Sequence, residues 1–395
     1  MRIDIEANYD AIVVGGGPAG STAAMELGKC GREVLHVDRA TFPRDKLCGG
    51  LVTWKTVQLL DRIFDINPNS ISSKQYINQS TGEYEVRFTE SRVKRGESAR
   101  PFHFADRRKY DSVLFESAGN CESVTQCEGV GVTSVHPSEG RVDLTTGETV
   151  TASYVVGADG AHSTVRQRLI EDDYISKKEW THNLAIGAEA YIPKDTVSMD
   201  LEHILTDLGF VDWGYGWVFP HGEDYAIGVG GLNRKNSQSF RDLLNEYYDI
   251  LDIDVDMSQS KGHPVPFGNY ITKPTGGSTL LVGDAGGYVD ALSGEGIFYA
   301  QRTGELVALA VDRALEAGGD AAAYYKQYLR KKVFPELRIS KLARFVLWGG
   351  PKYVRRPYIH LWGAALHQQW EELIQGNRLY MLLRKQGNPY HLEVP

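Results

Sequence analysis

The stretch YDAIVVGGGPAGSTAAMELGKCGREVLHVDRA, residues 9–40, constrains the fold more than any other part of the chain. Ala11 to Val14 are apolar and rich in β-branched side chains, as a strand buried on both faces requires. Gly15, Gly17 and Gly20 then form G-x-G-x-x-G, with Pro18 and Ala19 between them. The first glycine turns the chain, the second admits a pyrophosphate to the backbone, and the third lets a helix pack on the strand. The free N–H groups of that helix then face the phosphates. The spacing predicts a helix from about Pro18 to Gly28, with Gly31 near its end. The next strand closes on Asp38, eighteen positions after Gly20, near the place of the carboxylate that holds a ribose hydroxyl, and Arg39 follows it. The glycines alone are a weak signal, whereas strand, turn, helix, strand and acid together predict a dinucleotide site. This unit does not separate FAD from NAD(P).

The chain has 395 residues, enough for two or three closely packed units, and its 42% hydrophobic and 24% charged content is that of a globular protein. A net charge of −8 argues against a nucleic-acid partner. The four cysteines, Cys30, Cys48, Cys121 and Cys127, have neither CxxC spacing nor disulfide-framework density, so reduced thiols in a cytoplasmic protein are expected. The polar, acidic residues 1 to 8 do not read as a signal peptide, and no apolar run is long enough to span a membrane. Nothing suggests a metal site.

Two later motifs narrow the cofactor. In YVVGADGAHSTVRQRL a strand ending at Val156 runs into Gly157-Ala158-Asp159-Gly160, followed by a helix carrying Arg166 and Arg168. Asp159 can either touch the cofactor or brace its own turn. In STLLVGDAGGYVDALSGEGIFYAQRTGELVA a strand reaches Gly283-Asp284, and a loop through Gly294-Glu295-Gly296 leads to a long helix beginning near Ile297. Asp284 can accept from ribityl hydroxyls or cap the turn that follows. The N-terminus of the long helix suits the negative N1–C2=O edge of a reduced flavin.

In this order the three motifs resemble the p-hydroxybenzoate-hydroxylase-like flavoproteins, over roughly residues 8 to 330. A fourth match is FADRRKYDSVLFESA, where Arg107 ahead of Tyr110-Asp111 takes the place of the family's pyrophosphate-contacting arginine. Without the resemblance, Arg107 reads as a solvated charge at a helix start. The resemblance implies noncovalent FAD and an α/β fold, α+β overall. A Rossmann-like FAD domain would be assembled from residues 1–75, 100–180 and 268–318. An antiparallel substrate sheet would come from 76–99 and 181–267, and a helical region from 319–395.

Two stretches choose among the family's chemistries. GYGWVFPHGEDYAIGVGG resembles the geranylgeranyl-reductase pattern of Tyr-x-Trp-x-Phe-Pro followed by Gly-x-Gly, here Tyr215, Trp217, Phe219, Pro220, Gly228 and Gly230. Strand alternation puts the three aromatics on one face. By spacing alone such a face is more often core than a substrate wall. Flavin halogenases instead carry Trp-x-Trp-x-Ile-Pro. FPRDKLCGG resembles the prenyl-reductase element Pro-x-x-Lys-x-Cys-Gly-Gly, here Pro43, Lys46, Cys48, Gly49 and Gly50. Lys46 and Arg44 would bring positive charge to the cofactor or a substrate phosphate, and a cation beside Cys48 would favour its thiolate.

The activity implied is saturation of C=C bonds in a polyprenyl chain on a diphosphate, a lipid, or a quinone or chlorophyll precursor. Hydride would come from flavin N5 and a proton from Cys48 or a water. Tyr215 and Trp217 would stabilise developing positive charge by cation–π attraction, worth up to about 2 kcal/mol when desolvated. The alternative is an FAD monooxygenase, aromatic hydroxylase or halogenase-like, using NAD(P)H and oxygen. A third reading is an electron-transfer or prenyl-carrier protein without turnover. The donor of a reductase would be NAD(P)H or reduced ferredoxin. Near the C-terminus Trp348, Tyr353, Tyr358 and Trp362 alternate with Lys352, Arg355 and Arg356. They read as a helical cap, a tunnel wall or a peripheral membrane-contact surface. His360 and His367 can share a helix face, without other signs of metal ligation.

Overall fold

The computed structural model describes residues 9–88, 91–256, 260–349 and 374–376. The aromatic and basic residues between 352 and 367 lie outside them. Two eight-stranded sheets organise the described residues. The first centres on the parallel strands Thr279–Leu281, Thr149–Gly157, Tyr9–Val14, Val34–Asp38 and Val124–Glu128, in that spatial order. The strand Tyr9–Val14 is buried on both faces. Ala11 and Val13 join the core under the helices Pro18–Lys29, Arg107–Gly119 and Ile297–Ala317, whereas Ile12 and Val14 pack toward the antiparallel strands Val132–His136 and Arg141–Leu144. This explains why the sequence there is continuously apolar rather than alternating.

The glycine-loop helix runs Pro18–Lys29, one residue beyond the predicted end, and its N-cap Gly17 makes no side-chain cap. A Cβ on Gly20 would lie 1.8 Å from the carbonyl oxygen of Gly15, so only glycine lets the helix start so near the turn. The helix Ile297–Ala317 likewise begins at an N-cap, Gly296, without a side-chain cap. At both helix starts the glycine N-cap thus leaves the positive end of the helix without a capping side chain.

The second sheet runs Lys261–Val265, Ala185–Pro193, Asp224–Leu232, Gly214–His221, Ile204–Leu208, Ile77–Phe88, Ser91–Ala105 and Leu51–Val52. It is antiparallel except where Ile204–Leu208 pairs with Ile77–Phe88. Ala188, Ala190, Ile192, Val218, Ile227 and Val229 pack one face against the helix Phe240–Leu251. The opposite face is turned toward the first sheet. Beyond the long helix, Ala321–Lys332 and Phe334–Trp348 meet at Val333. No helix among the described residues is long and apolar enough to cross a membrane.

Candidate active site

A cavity of about 1120 Å³ lies between the two sheets. It exceeds the roughly 300–1,000 Å³ of an ordinary small-molecule pocket, leaving room for a dinucleotide and part of a second ligand. Gly15, Gly17, Pro18, Ala19, Asp38 and Arg39 line one end. Lys46, Cys48, Gly49, Arg107, Asp159, Gly160, Asp284, Gly294, Gly296 and Ile297 line it further on, with Tyr215, Trp217 and Phe219 across from them. Segments as far apart in sequence as Gly15 and Ile297 thus converge on one space. Ile339, Ala343, Leu347 and Trp348 of the helix Phe334–Trp348 add an apolar wall.

Five of the residues singled out from sequence support this cavity from behind rather than bordering it. Gly20 seats the helix, and Gly283 packs beside Ala19. Pro220 belongs to the buried side of its strand. Gly228 and Gly230 sit opposite Trp217 and Tyr215 on the neighbouring strand. A Cβ on Gly228 would come within 2.3 Å of the Trp217 ring, so the indole lies flat over a strip bare of side chains.

The cations are organised around a buried acid. Asp111 is fully buried, accepts from Arg107 Nε at 2.8 Å and Nη2 at 2.9 Å, and pairs with Arg44 at 3.1 Å. Two guanidinium groups share one carboxylate, so surplus positive charge remains. Arg44 lies 3.4 Å from where a Gly17 side chain would begin, which puts that charge at the glycine loop. Arg107 is 7% exposed, not the solvated helix-start charge that spacing alone suggested, and it also hydrogen-bonds to Cys48. Lys46 Nζ donates to His263 Nε2 at 2.6 Å. Burial pulls the Lys46 ammonium below the usual lysine range, opposed by Asp284. Burial and the neighbouring Lys46 push His263 down to about 3, keeping it neutral and able to accept.

The acids have distinct tasks. Asp38 Oδ2 accepts from Gly16 N at 2.6 Å and Oδ1 from Ala40 N at 2.8 Å, bracing the glycine loop while retaining lone pairs for a further donor. Asp159 accepts from Ser163 Oγ at 2.5 Å and from Val165 N at 3.1 Å, which is the turn-bracing option. Arg166 bonds the carbonyls of Ala161 and Ala285 and stacks on Trp180, tying the Asp159 loop to the turn after Asp284. Glu295, between Gly294 and Gly296, pairs with Lys55 and accepts from Thr53 Oγ1 at 2.6 Å, fixing the start of the long helix.

The Cys48 loop lies against the aromatic strand. A Cβ on Gly49 would meet the Phe219 ring at 2.8 Å, and the Tyr191 hydroxyl donates to the Cys48 carbonyl at 3.0 Å. The Tyr215 hydroxyl donates to the Ser293 carbonyl, joining this strand to the Gly294 loop. The Tyr215 and Trp217 ring centroids are 5.9 Å apart, and those of Trp217 and Phe219 are 6.1 Å apart.

Sequence reasoning missed Glu189. It sits on Ala185–Pro193, is 2% exposed, borders the cavity, and accepts from Trp217 Nε1 at 3.0 Å through Oε2. The only trace in the sequence is a lone acid among small and apolar residues in AIGAEAYIP. Burial pushes its carboxyl from 4.5 up to about 7, despite the hydrogen bonds from Trp217 and the Cys48 backbone. The folded protein therefore holds a proton that the unfolded chain loses above pH 4.5. The stabilisation is complete below that pH and is lost as pH rises through about 7, about 3 kcal/mol in all. Relative to Glu189→Gln, the wild type should lose melting temperature over this window and then level off. A pH-independent difference in scanning fluorimetry would contradict the assignment.

The residues present fit FAD. Two uncapped helix N-termini, an excess of guanidinium charge at the glycine loop and a cavity larger than one ordinary ligand are what an extended dinucleotide needs. The profile of the FAD binding domain family matches residues 8–207. The chain is 32% identical over 323 residues to the geranylgeranyl diphosphate reductase of Rhodobacter capsulatus, covering 79% of this chain and 77% of that protein. It is 31% identical over 319 residues to the menaquinone reductase of Mycolicibacterium smegmatis, covering 76% and 75%. Its fold matches that of a geranylgeranyl bacteriochlorophyll reductase-like protein from Thermoplasma acidophilum, with TM-score 0.76, 18% identity and coverage of 95% and 94%. With the glycine loop, the Cys48 loop and the aromatic strand around one cavity, the chain belongs to the geranylgeranyl reductase family of FAD-dependent oxidoreductases.

Proposed function

We propose that the enzyme saturates C=C bonds of a polyprenyl, geranylgeranyl-type chain carried on a diphosphate, a lipid, or a quinone or chlorophyll precursor. The observation that carries this reading is the row of Tyr215, Trp217 and Phe219 on the wall of the cavity that also holds the glycine loop and the Cys48 loop. An apolar, aromatic wall suits an isoprenoid chain, and the names of the R. capsulatus and M. smegmatis relatives agree with it.

In this reading Gly15, Gly17, Pro18 and Ala19, with Arg107 and Arg44, would hold the pyrophosphate. Asp38 and Arg39 would face the adenosine ribose, and Asp284 the ribityl chain. Gly294, Gly296 and Ile297 would offer the N-terminus of the long helix to the flavin ring, with Lys46, Cys48 and Gly49 beside it. Asp159 and Gly160 would contribute the backbone of their loop, because the Asp159 carboxylate is already engaged. Reduced FAD supplies hydride. The chain's own part is to exclude water, hold the alkene against the cofactor, and stabilise the positive charge that develops when an unactivated alkene is protonated. The rings of Tyr215 and Trp217 serve the last task. The ultimate electron donor would be NAD(P)H or a reduced ferredoxin.

The test is anaerobic, chemically reduced enzyme with geranylgeranyl diphosphate, a geranylgeranylated lipid and menaquinone. Product mass should rise by two hydrogens per reduced bond. Oxygen-dependent hydroxylation of an aromatic, with no mass gain on any prenyl substrate, would overturn the reading in favour of a monooxygenase.

A further inference from the structure

We propose that Glu189 is the acid that supplies the proton for alkene reduction, an inference that rests on the prenyl-reductase reading above. Hydride addition to an isolated double bond cannot proceed without a proton at the other carbon, so the site needs a donor shielded from bulk water. Glu189 borders the cavity and is 2% exposed. Its Oε2 is engaged by Trp217 Nε1 at 3.0 Å, and its Oε1 is buried with no hydrogen-bond partner. A buried carboxylate with one oxygen unpartnered would be costly, whereas the neutral acid carries its proton there at little expense. Among the described residues no cation is paired with it, in contrast to Asp111 and Glu295.

The position is equally specific. Trp217 is the central ring of the aromatic wall, and a Cβ on Gly49 would lie 3.3 Å from Glu189 Oε2. The Cys48 backbone lies close enough to the carboxyl to favour its charged form, against the larger effect of burial. Glu189 therefore sits where the Cys48 loop and the aromatic strand meet. The titratable groups around it are Cys48, Tyr191 two residues along its own strand, Tyr248 from the helix Phe240–Leu251, and Lys261 opposite it on Lys261–Val265, whose ammonium lies 3.9 Å from Asp45, with Arg107 beyond Cys48. Burial raises the Tyr191 and Tyr248 hydroxyls above the ordinary tyrosine value and brings the Glu189 carboxyl to about 7, so Glu189, not either tyrosine, exchanges a proton near neutral pH.

The alkene π pair takes the Glu189 proton at one carbon, and the other carbon accepts hydride from reduced flavin, which is oxidised by two electrons. Glu189 is left as a carboxylate and regains its proton from water.

The experiment compares the wild type with Glu189→Gln and Glu189→Asp, all loaded with FAD. Glu189→Gln keeps the size and can still accept from Trp217 but has no acidic proton. Its rate of reduction of geranylgeranyl diphosphate by chemically reduced enzyme should fall by about 10²–10⁴-fold. The limb of the pH profile that falls near pH 7 in the wild type should disappear. Glu189→Asp, which keeps the acid on a shorter arm, should recover part of the rate. Independently of turnover, the infrared difference spectrum of wild type minus Glu189→Gln should show a protonated carboxyl at pH 6 that is gone by pH 8.5. A Glu189→Gln rate within a few-fold of wild type and an unchanged pH profile would overturn the proposal while leaving the reductase reading intact. A carboxylate already ionised at pH 6 would overturn it as well. Wild type that reduces no prenyl substrate would remove the reductase reading and this proposal with it.

Discussion

Replacing Asp111 with alanine should give a protein that purifies without flavin and is about 3–5 kcal/mol less stable, read from its urea midpoint. Asp111 is fully buried and is the shared partner of Arg107 and Arg44. Its loss leaves two cations at the glycine loop without the carboxylate that orients them. Leaving a buried charge uncompensated costs more than the net worth of the pair it came from. Asp111→Asn should be milder, because the amide oxygen still accepts one guanidinium N–H. Flavin absorbance per mole of purified protein gives the first reading. Wild-type flavin content and an unchanged urea midpoint in the alanine variant would refute this account of the site's electrostatics.

Gly228→Val should retain FAD but lose prenyl reduction by about 10²-fold or more. Even the first carbon of a side chain at position 228 would lie 2.3 Å from the Trp217 ring and 2.9 Å from the Ala188 carbonyl oxygen. Backbone cannot yield as a flexible side-chain tip can, so the indole must swing off the strand. That movement breaks the Trp217–Glu189 hydrogen bond, pushes the ring into the cavity and rearranges the wall beside Cys48. Displacements of about 1 Å at a reacting centre can cost this much. The glycine loop lies on the other sheet, and flavin binding should survive. Normal turnover in Gly228→Val would show that the indole's position is not required. Loss of flavin together with activity would mean that the two halves of the cavity are coupled through the sheet.

The contrast between these variants follows a division already visible in the sequence. The FAD half was legible because its motifs are local. A strand, a glycine turn and a helix start lie within about a dozen residues, and the physics of a helix N-terminus facing an anion needs no distant partner. The aromatic half was legible as a face, since alternation along one strand decides which residues share a side. It was not legible as a wall, because alternation cannot say whether that side meets core or cavity. The helix Phe240–Leu251 covers the opposite face, and this leaves Tyr215, Trp217 and Phe219 to the cavity. Arg107 shows the same limit. Its spacing reads equally well as a solvated helix start, and only the fold buries it between Asp111 and Cys48.

By itself the sequence determined the dinucleotide unit, the order of the three cofactor motifs, the facing of the aromatic strand and, through its resemblance, the family. Those features depend on neighbours a few positions apart, whose relations are fixed by helix and strand periodicity. The tertiary structure alone decided that Asp159 braces its own turn, that Gly228 seats an indole, and that burial beside that indole raises the Glu189 carboxyl to about 7. Each of these depends on desolvation or on contact between segments brought together only by folding. The same glutamate in water would be an ordinary ionised side chain, and nothing in AIGAEAYIP distinguishes the two states.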